Sequence, residues 1–136
     1  MKLIIDSNRI ISALIKDGLT REIITSNKIQ FYTLNYVLDE IMKYKKYIVK
    51  KAKINDNQID YLFNLLMENI IIISDKKINQ YMGKAINVMK DIDINDSPIL
   101  ACALAIENDG IWTEDRDFDK QNKIKIWKTS DLINFL

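Results

Sequence analysis

Apolar residues run almost uninterrupted in a few short stretches and recur at helical spacing between them. The runs are "KLII" (residues 2–5), "IQFYT" (29–33), "IIIIS" (70–74), "GIWT" (110–113) and "KIKIW" (123–127), each of strand length and rich in β-branched or aromatic residues. Helical spacing begins at about Asn8 and continues through "RIISALIKDG", with Gly18 as the expected stop. It resumes in "LTREIITSN", in "NYVLDEIMKYKKYIVKKAK", in "NDNQIDYLFNLLMENI", in "DKKINQYMGKAINVMKDI", in "NDSPILACALAIEND" and in the closing "TSDLINFL". Short apolar strands that alternate with helices call for an α/β fold, a parallel sheet of four or five strands covered on both faces. In such sheets functional groups collect beyond the carboxyl ends of the strands, where the strand order reverses.

Composition narrows the chemistry. With 136 residues, 48% of them hydrophobic, the chain is sized for one domain spanning residues 1–136. One Pro, three Gly and no repeat or polar linker leave no place for a boundary. The absence of histidine removes Ser-His and Cys-His nucleophile pairs, an imidazole base and histidine-bearing zinc sites. Cys102 stands alone, so no intrachain disulfide forms and a reducing cytoplasm is the expected compartment. The start "MKLIID" reaches a charge too soon for a signal peptide, and no apolar run has transmembrane length. A formal charge of +1 conceals a polarised chain: residues 91–119 hold nine acids against Arg116 alone, a net −8 that leaves +9 on the rest.

Several of those acids occupy unusual places. Asp6 closes the first strand, where taken alone it reads first as a helix cap. Glu40 shares a helix side with Val37, Ile41 and Tyr44, and a glutamate on a core-facing stripe calls for a partner or a function. Asp96 precedes the apolar run "ILACALAI", with Pro98 fitting the first turn, and again suits a cap. Asp91 and Asp93 add charge with no base nearby. Asp115 and Asp117 follow the strand "GIWT" as Asp6 follows "KLII", and adjacent parallel strands bring such ends together. Carboxylates converging without opposing bases repel one another unless a hard cation neutralises them, which points to Mg²⁺ or Mn²⁺. An EF-hand is excluded: in the frame from Asp115 the required Gly is Lys120 and the required Glu is Ile126, and the frame from Asp91 puts Asp96 and Cys102 there.

The stretches "MKLIIDSNRIISALIK", "LDEI" and "DSPILACALAIENDGIWTEDRDF", in this order and spacing, resemble the PIN-domain family, especially its small prokaryotic VapC-like members. The resemblance implies a three-layer, Rossmann-like α/β/α fold and Mg²⁺- or Mn²⁺-dependent hydrolysis of phosphodiesters, most often in RNA. Asp6, Glu40, Asp96 and Asp115 match the family's four acids in turn. Asp117 matches a further acid used by many members, and Asn8 and Thr113 match its supporting polar residues. Asp6, Asp96 and Asp115 would hold one or two ions, with Glu40 and Asp117 acting through water or on a second ion. Arg9 stands where many members carry an apolar residue, and residues 45–90 show no recognisable motif.

Partners follow from the same reading. The run "KYKKYIVKKAK" places Lys43, Lys45, Lys46 and Lys50 among Tyr44 and Tyr47, a pattern suited to a nucleic-acid backbone and stacked bases, although a solvated helix face would look the same. RNA is the expected substrate, a cognate antitoxin and a second copy of the chain are expected protein partners, and no membrane is involved. The homodimer expectation draws on apolar residues near Tyr61, Phe63 and Tyr81. Two alternatives compete: a non-catalytic PIN-like module that binds RNA or protein, and a Rossmann-like phosphatase, which would want a second Asp where Asn8 stands.

Overall fold

The computed structural model describes residues 1–136 and forms a five-stranded, all-parallel sheet in the order β3-β2-β1-β4-β5. The strands are β1 (Lys2–Ile5), β2 (Gln30–Leu34), β3 (Ile70–Ile73), β4 (Ile111–Trp112) and β5 (Ile126–Trp127). Leu3, Ile4 and Ile5 are all fully buried, although successive strand residues point to opposite faces, so helices must cover both faces of β1. One helical layer comprises α1 (Ser7–Ile15), α2 (Leu19–Thr25), α3 (Asn35–Lys43), α4 (Lys45–Ala52) and α5 (Asp56–Met67), with α1 packing against the other four. In the other, α6 (Asp75–Asn79) and α7 (Met82–Met89) pack on α8 (Ser97–Ala105), which lies against β1 and β2. The chain ends in α9 (Thr129–Leu132) and a 3-10 turn at Ile133–Phe135. No helix is long and apolar enough to cross a membrane.

The strand order reverses between β1 and β4. From β1 the chain steps outward to β2 and β3, then returns to β1's other side for β4 and β5. Register pairs Ile5 with Trp112, so Asp6 and Thr113 leave the sheet side by side. On β4's other side Gly110 lets β5 approach: its φ of +139° is unfavourable for other residues, and a Cβ there would collide with the Lys125 carbonyl of the incoming β5 segment.

Three expected helices differ. The long segment 35–53 breaks at Tyr44, whose φ of −97° and ψ of 10° end α3 and start α4, leaving Tyr44 exposed and off the buried stripe of Val37 and Ile41. Segment 75–92 likewise divides at Gln80 and Tyr81. Gly18 does not stop α1, which ends at Ile15; with φ −144° it instead precedes α2 as its N-cap. In each case helical periodicity spans the break because the apolar residues on both sides still face the same core.

Candidate active site

The site is built at the β1/β4 reversal. Asp6 is 4% exposed, and donors engage both its oxygens. Oδ1 accepts from the Ser7 amide at 2.7 Å, with the Ser7 hydroxyl at 3.4 Å. Oδ2 accepts from the Thr113 hydroxyl at 2.7 Å and from Asn8 Nδ2 at 3.1 Å. Thr113 Oγ1 in turn accepts from the Asp115 amide at 3.0 Å, tying β4's exit loop to β1. Asp115 caps the 3-10 turn Arg116–Lys120, its Oδ1 accepting from the Asp117 amide at 2.9 Å. Burial raises the Asp6 pKa, and nearby Asp115 raises it further, against the lowering effect of the Thr113 and Ser7 hydrogen bonds.

Opposite lies a second set of acids. A carboxylate oxygen from each of Asp93, Asp96 and Asp117 lies within 4.8 Å of the others. Asp93 caps the 3-10 turn Ile94–Asp96 by accepting from the Asn95 amide at 3.0 Å. Asp96 occupies the N-cap position of α8 yet makes no capping hydrogen bond, and its Oδ2 is buried without a partner. Its carboxyl is pushed up to about 7 by burial and then by Asp115, Asp93, Asp6 and Asp117. Asp117 is a rim residue, its side chain 33% exposed and its Oδ1 3.1 Å from Lys120 Nζ.

Glu40 joins from α3, where its Oε1 lies 3.3 Å from the Ser7 hydroxyl that also faces Asp6. Burial and then Asp6 raise its pKa, which the Ser7 hydrogen bond and Lys43 oppose. Its predecessor by one turn, Tyr36, stands in the same field: its phenol is shifted upward by burial, then by Glu40, Asp96, Asp93 and Asp6.

Of the five acids read from the sequence, Asp96 and Asp117 fall in the grouped carboxylates with Asp93, whereas Asp6, Glu40 and Asp115 lie outside that group, near enough to act electrostatically on one another or on Asp96; Asn8 and Thr113 are bonded to Asp6 and to each other. Three further residues, scarcely marked by the sequence, lie beside these acids. Asp93 had only its lack of a basic partner to mark it, and its i,i+3 relation to Asp96 becomes a shared face through the 3-10 turn. Ser7 and Tyr36 lacked any distinguishing signal beyond adjacency to Asp6 and one-turn spacing from Glu40.

The basic run is less uniform than its composition suggests. Lys43, Lys46 and Lys50 are exposed, as are Tyr44 and Tyr47, whereas Lys45 is held by Asp60 at 2.7 Å. Of the aromatics near the expected dimer surface, Tyr61 is exposed, but Phe63 and Tyr81 are half-buried against the core.

The donor set is entirely oxygen, and a buried, unpartnered carboxylate oxygen on Asp96 amid raised pKa values is the state expected of a hard-cation site read without its cation. The PIN domain family model matches residues 4–134, and the chain belongs to that family. Its small size fits a VapC-like member. PIN domains are generally nucleases that employ divalent metal ions, and this acidic cluster is compatible with that activity. No curated protein matches the chain.

Proposed function

We propose that residues 1–136 act as one PIN nuclease domain, a divalent-metal-dependent endoribonuclease, and that the chain is the toxin of a toxin-antitoxin pair. The carrying observation is the grouping of Asp93, Asp96 and Asp117, their carboxylate oxygens within 4.8 Å of one another, with Asp96 Oδ2 left unpartnered and Asp6 and Asp115 near enough to raise the Asp96 pKa. Asp96, Asp93 and Asp117 would hold Mg²⁺ or Mn²⁺, together with Asp6 and Asp115 from the facing side, and Glu40 acts through water or on a second ion. Bound there, the metal supplies positive charge to the phosphoryl oxygens and a water acidic enough to ionise near neutral pH. The chain's own residues do the positioning. Thr113, Asn8 and Ser7 lock Asp6 in one rotamer, and Asp115 is set by the turn it caps.

Exposed Lys43 lies beside Glu40, and Lys46 and Lys50 continue from it along α4, so a polyanion tracking this surface arrives at the acids. Tyr44 and Tyr47 offer stacking faces to unpaired bases. Lys45, neutralised by Asp60, has no part in this path. The phosphatase alternative requires an accessible nucleophilic aspartate, which suits Asp6 poorly at 4% exposure with donors on both oxygens. An antitoxin and a second copy of the chain are the proposed partners; among the three aromatics considered for the dimer, only Tyr61 offers an exposed ring. The test is cleavage of single-stranded and structured RNA with chelator, Mg²⁺ or Mn²⁺, using wild type, Asp6→Asn and Asp96→Asn. Metal-dependent cleavage lost in both variants supports the reading; RNA binding without cleavage by the wild type at any metal concentration identifies a binding module instead.

A further inference from the structure

We propose that Arg9 is a positioning residue of the acidic site: its donor-only guanidinium, charge-balanced by Glu114, fixes the Asn8 amide so that the NH₂ face meets the Asp6 carboxylate. The Arg9 side chain is only 14% exposed and makes polar contacts across the fold. Nε donates to Asn8 Oδ1 at 2.9 Å, and Nη1 donates to Thr129 Oγ1 at 3.2 Å and Thr20 Oγ1 at 3.5 Å. Nη1 lies 3.9 Å from Glu114 Oε1, an oxygen that also accepts from the Thr129 amide at 2.7 Å.

An asparagine amide fits its cavity in two orientations related by exchange of oxygen and nitrogen. Here they are far from equivalent. In the observed one, Nδ2 donates to Asp6 Oδ2 at 3.1 Å and to Thr113 Oγ1 at 3.0 Å. Exchange would set a carbonyl oxygen against the Asp6 carboxylate and an NH₂ against Arg9, opposing like groups at both ends. A guanidinium has donors alone, so Arg9 admits only the oxygen end of Asn8, and the Glu114 amide, 3.5 Å away, presents a second donor to the same oxygen. The selection propagates. With Asn8 Nδ2 and the Asp115 amide both donating to Thr113 Oγ1, the single Thr113 hydroxyl proton is directed to Asp6 Oδ2 at 2.7 Å. Asp6 thus presents a fixed face, and Glu114 offsets part of the Arg9 charge beside it. A lysine would keep the charge without the planar fork, and an apolar residue would leave Asn8 free to turn.

This inference deepens the metal-site reading for Asp6, but its first readout needs no metal. In metal-free, ¹⁵N-labelled protein, the Asn8 side-chain amide, assigned by its loss in Asn8→Ala, should exchange slowly with solvent, and Arg9→Met should accelerate that exchange at least about tenfold. Mn²⁺ affinity, followed by electron paramagnetic resonance of the free ion, should fall about tenfold in Arg9→Met and in Asn8→Ala, on the scale of lost outer-shell contacts. The double variant should bind Mn²⁺ no more weakly than Asn8→Ala alone, because the two residues act in series. Arg9→Lys, which keeps charge and stem, should fall between wild type and Arg9→Met and supplies both readouts if Arg9→Met fails to fold. An Asn8 amide equally protected without Arg9, or additive losses of Mn²⁺ affinity, would reduce Arg9 to a clamp between α1 and α9 and overturn the proposal. A wild type that binds no Mn²⁺, with the Asn8 amide still released by Arg9→Met, supports the Arg9–Asn8 link and overturns the metal reading alone.

Discussion

The β1 end and the α8 end of the acidic site handle their carboxylates in opposite ways. On the β1 side Asp6 is buried and saturated: a backbone amide, a hydroxyl and a side-chain amide hold it. On the α8 side Asp96 has surrendered its capping bond, and one buried oxygen has no partner, while Asp93 and Asp117 crowd it. A protein built for stability alone would satisfy both or neutralise both. The asymmetry fits the proposed division of labour, in which Asp6 is a pre-set wall and Asp96 the group that takes a cation.

Substitutions that remove one charge from each side break this comparison most severely. Asp6→Asn and Asp96→Asn should each reduce RNA cleavage by more than about 100-fold, at least the upper end of what outer-shell partners of metal sites cost. Their stabilities should diverge. Asp6→Asn turns an NH₂ towards existing donors and should lose about 1–3 kcal/mol in denaturant unfolding, whereas Asp96→Asn in chelator should be neutral or stabilising because it relieves repulsion. Equal destabilisation of the two would show Asp96 to be an ordinary structural acid.

Asp93→Asn should weaken Mn²⁺ binding by about tenfold, again on the scale of supporting contacts, in a titration against free-ion signal. Unchanged affinity would remove Asp93 from the site and leave Asp96 with Asp117 alone.

The pH dependence follows from the same crowding. The Asp96 pKa is raised to about 7 from an ordinary value of 3.8, so between those limits the folded protein keeps a proton that the unfolded chain releases. That contribution to stability is complete below about pH 4 and is lost as pH rises through 7; the raised Asp6 and Glu40 act in the same direction. Metal-free wild type should therefore show falling unfolding free energy over that interval, and Asp96→Asn a shallower fall. Mn²⁺ should offset the loss, since it binds the ionised folded form.

Much of this architecture is legible in the sequence. "KLII" is a strand because its three consecutive apolar residues fit an element covered on both faces, the four isoleucines of "IIIIS" form an edge strand that leaves Ile71 and Ile72 exposed, and Asp6 and Asp115 come near each other because their strands are neighbours. Asp96 could be read as a cap because residue type and position both allow it; only the missing hydrogen bond decides otherwise. Asp93 was hidden because it precedes α8, and no sequence signal shows the 3-10 turn Ile94–Asp96 that it caps and that brings its carboxylate to Asp96. Lys45 looked like its neighbours in the basic run because its partner, Asp60, comes from α5 and pairs through tertiary packing.

Smallest in effect are the surface charges. Lys43→Ala, Lys46→Ala and Lys50→Ala should each flatten the dependence of log affinity for single-stranded RNA on log salt by about 0.7 where one phosphate contact is lost. Lys45→Ala should leave that slope unchanged and lower stability only slightly through the lost Asp60 pair. A slope insensitive to all four would move the RNA path off α4.

The claim on which the account depends is that the unpartnered oxygen of Asp96 awaits a cation. Anomalous diffraction from crystals grown with Mn²⁺ tests it directly. A peak within about 2.5 Å of Asp96 Oδ2, with an oxygen of Asp93 or Asp117 also in coordination range and the Asp6 rotamer unmoved, is the predicted result. A map without a peak there, or with Asp96 turned onto an α8 backbone amide as a simple cap, would contradict it.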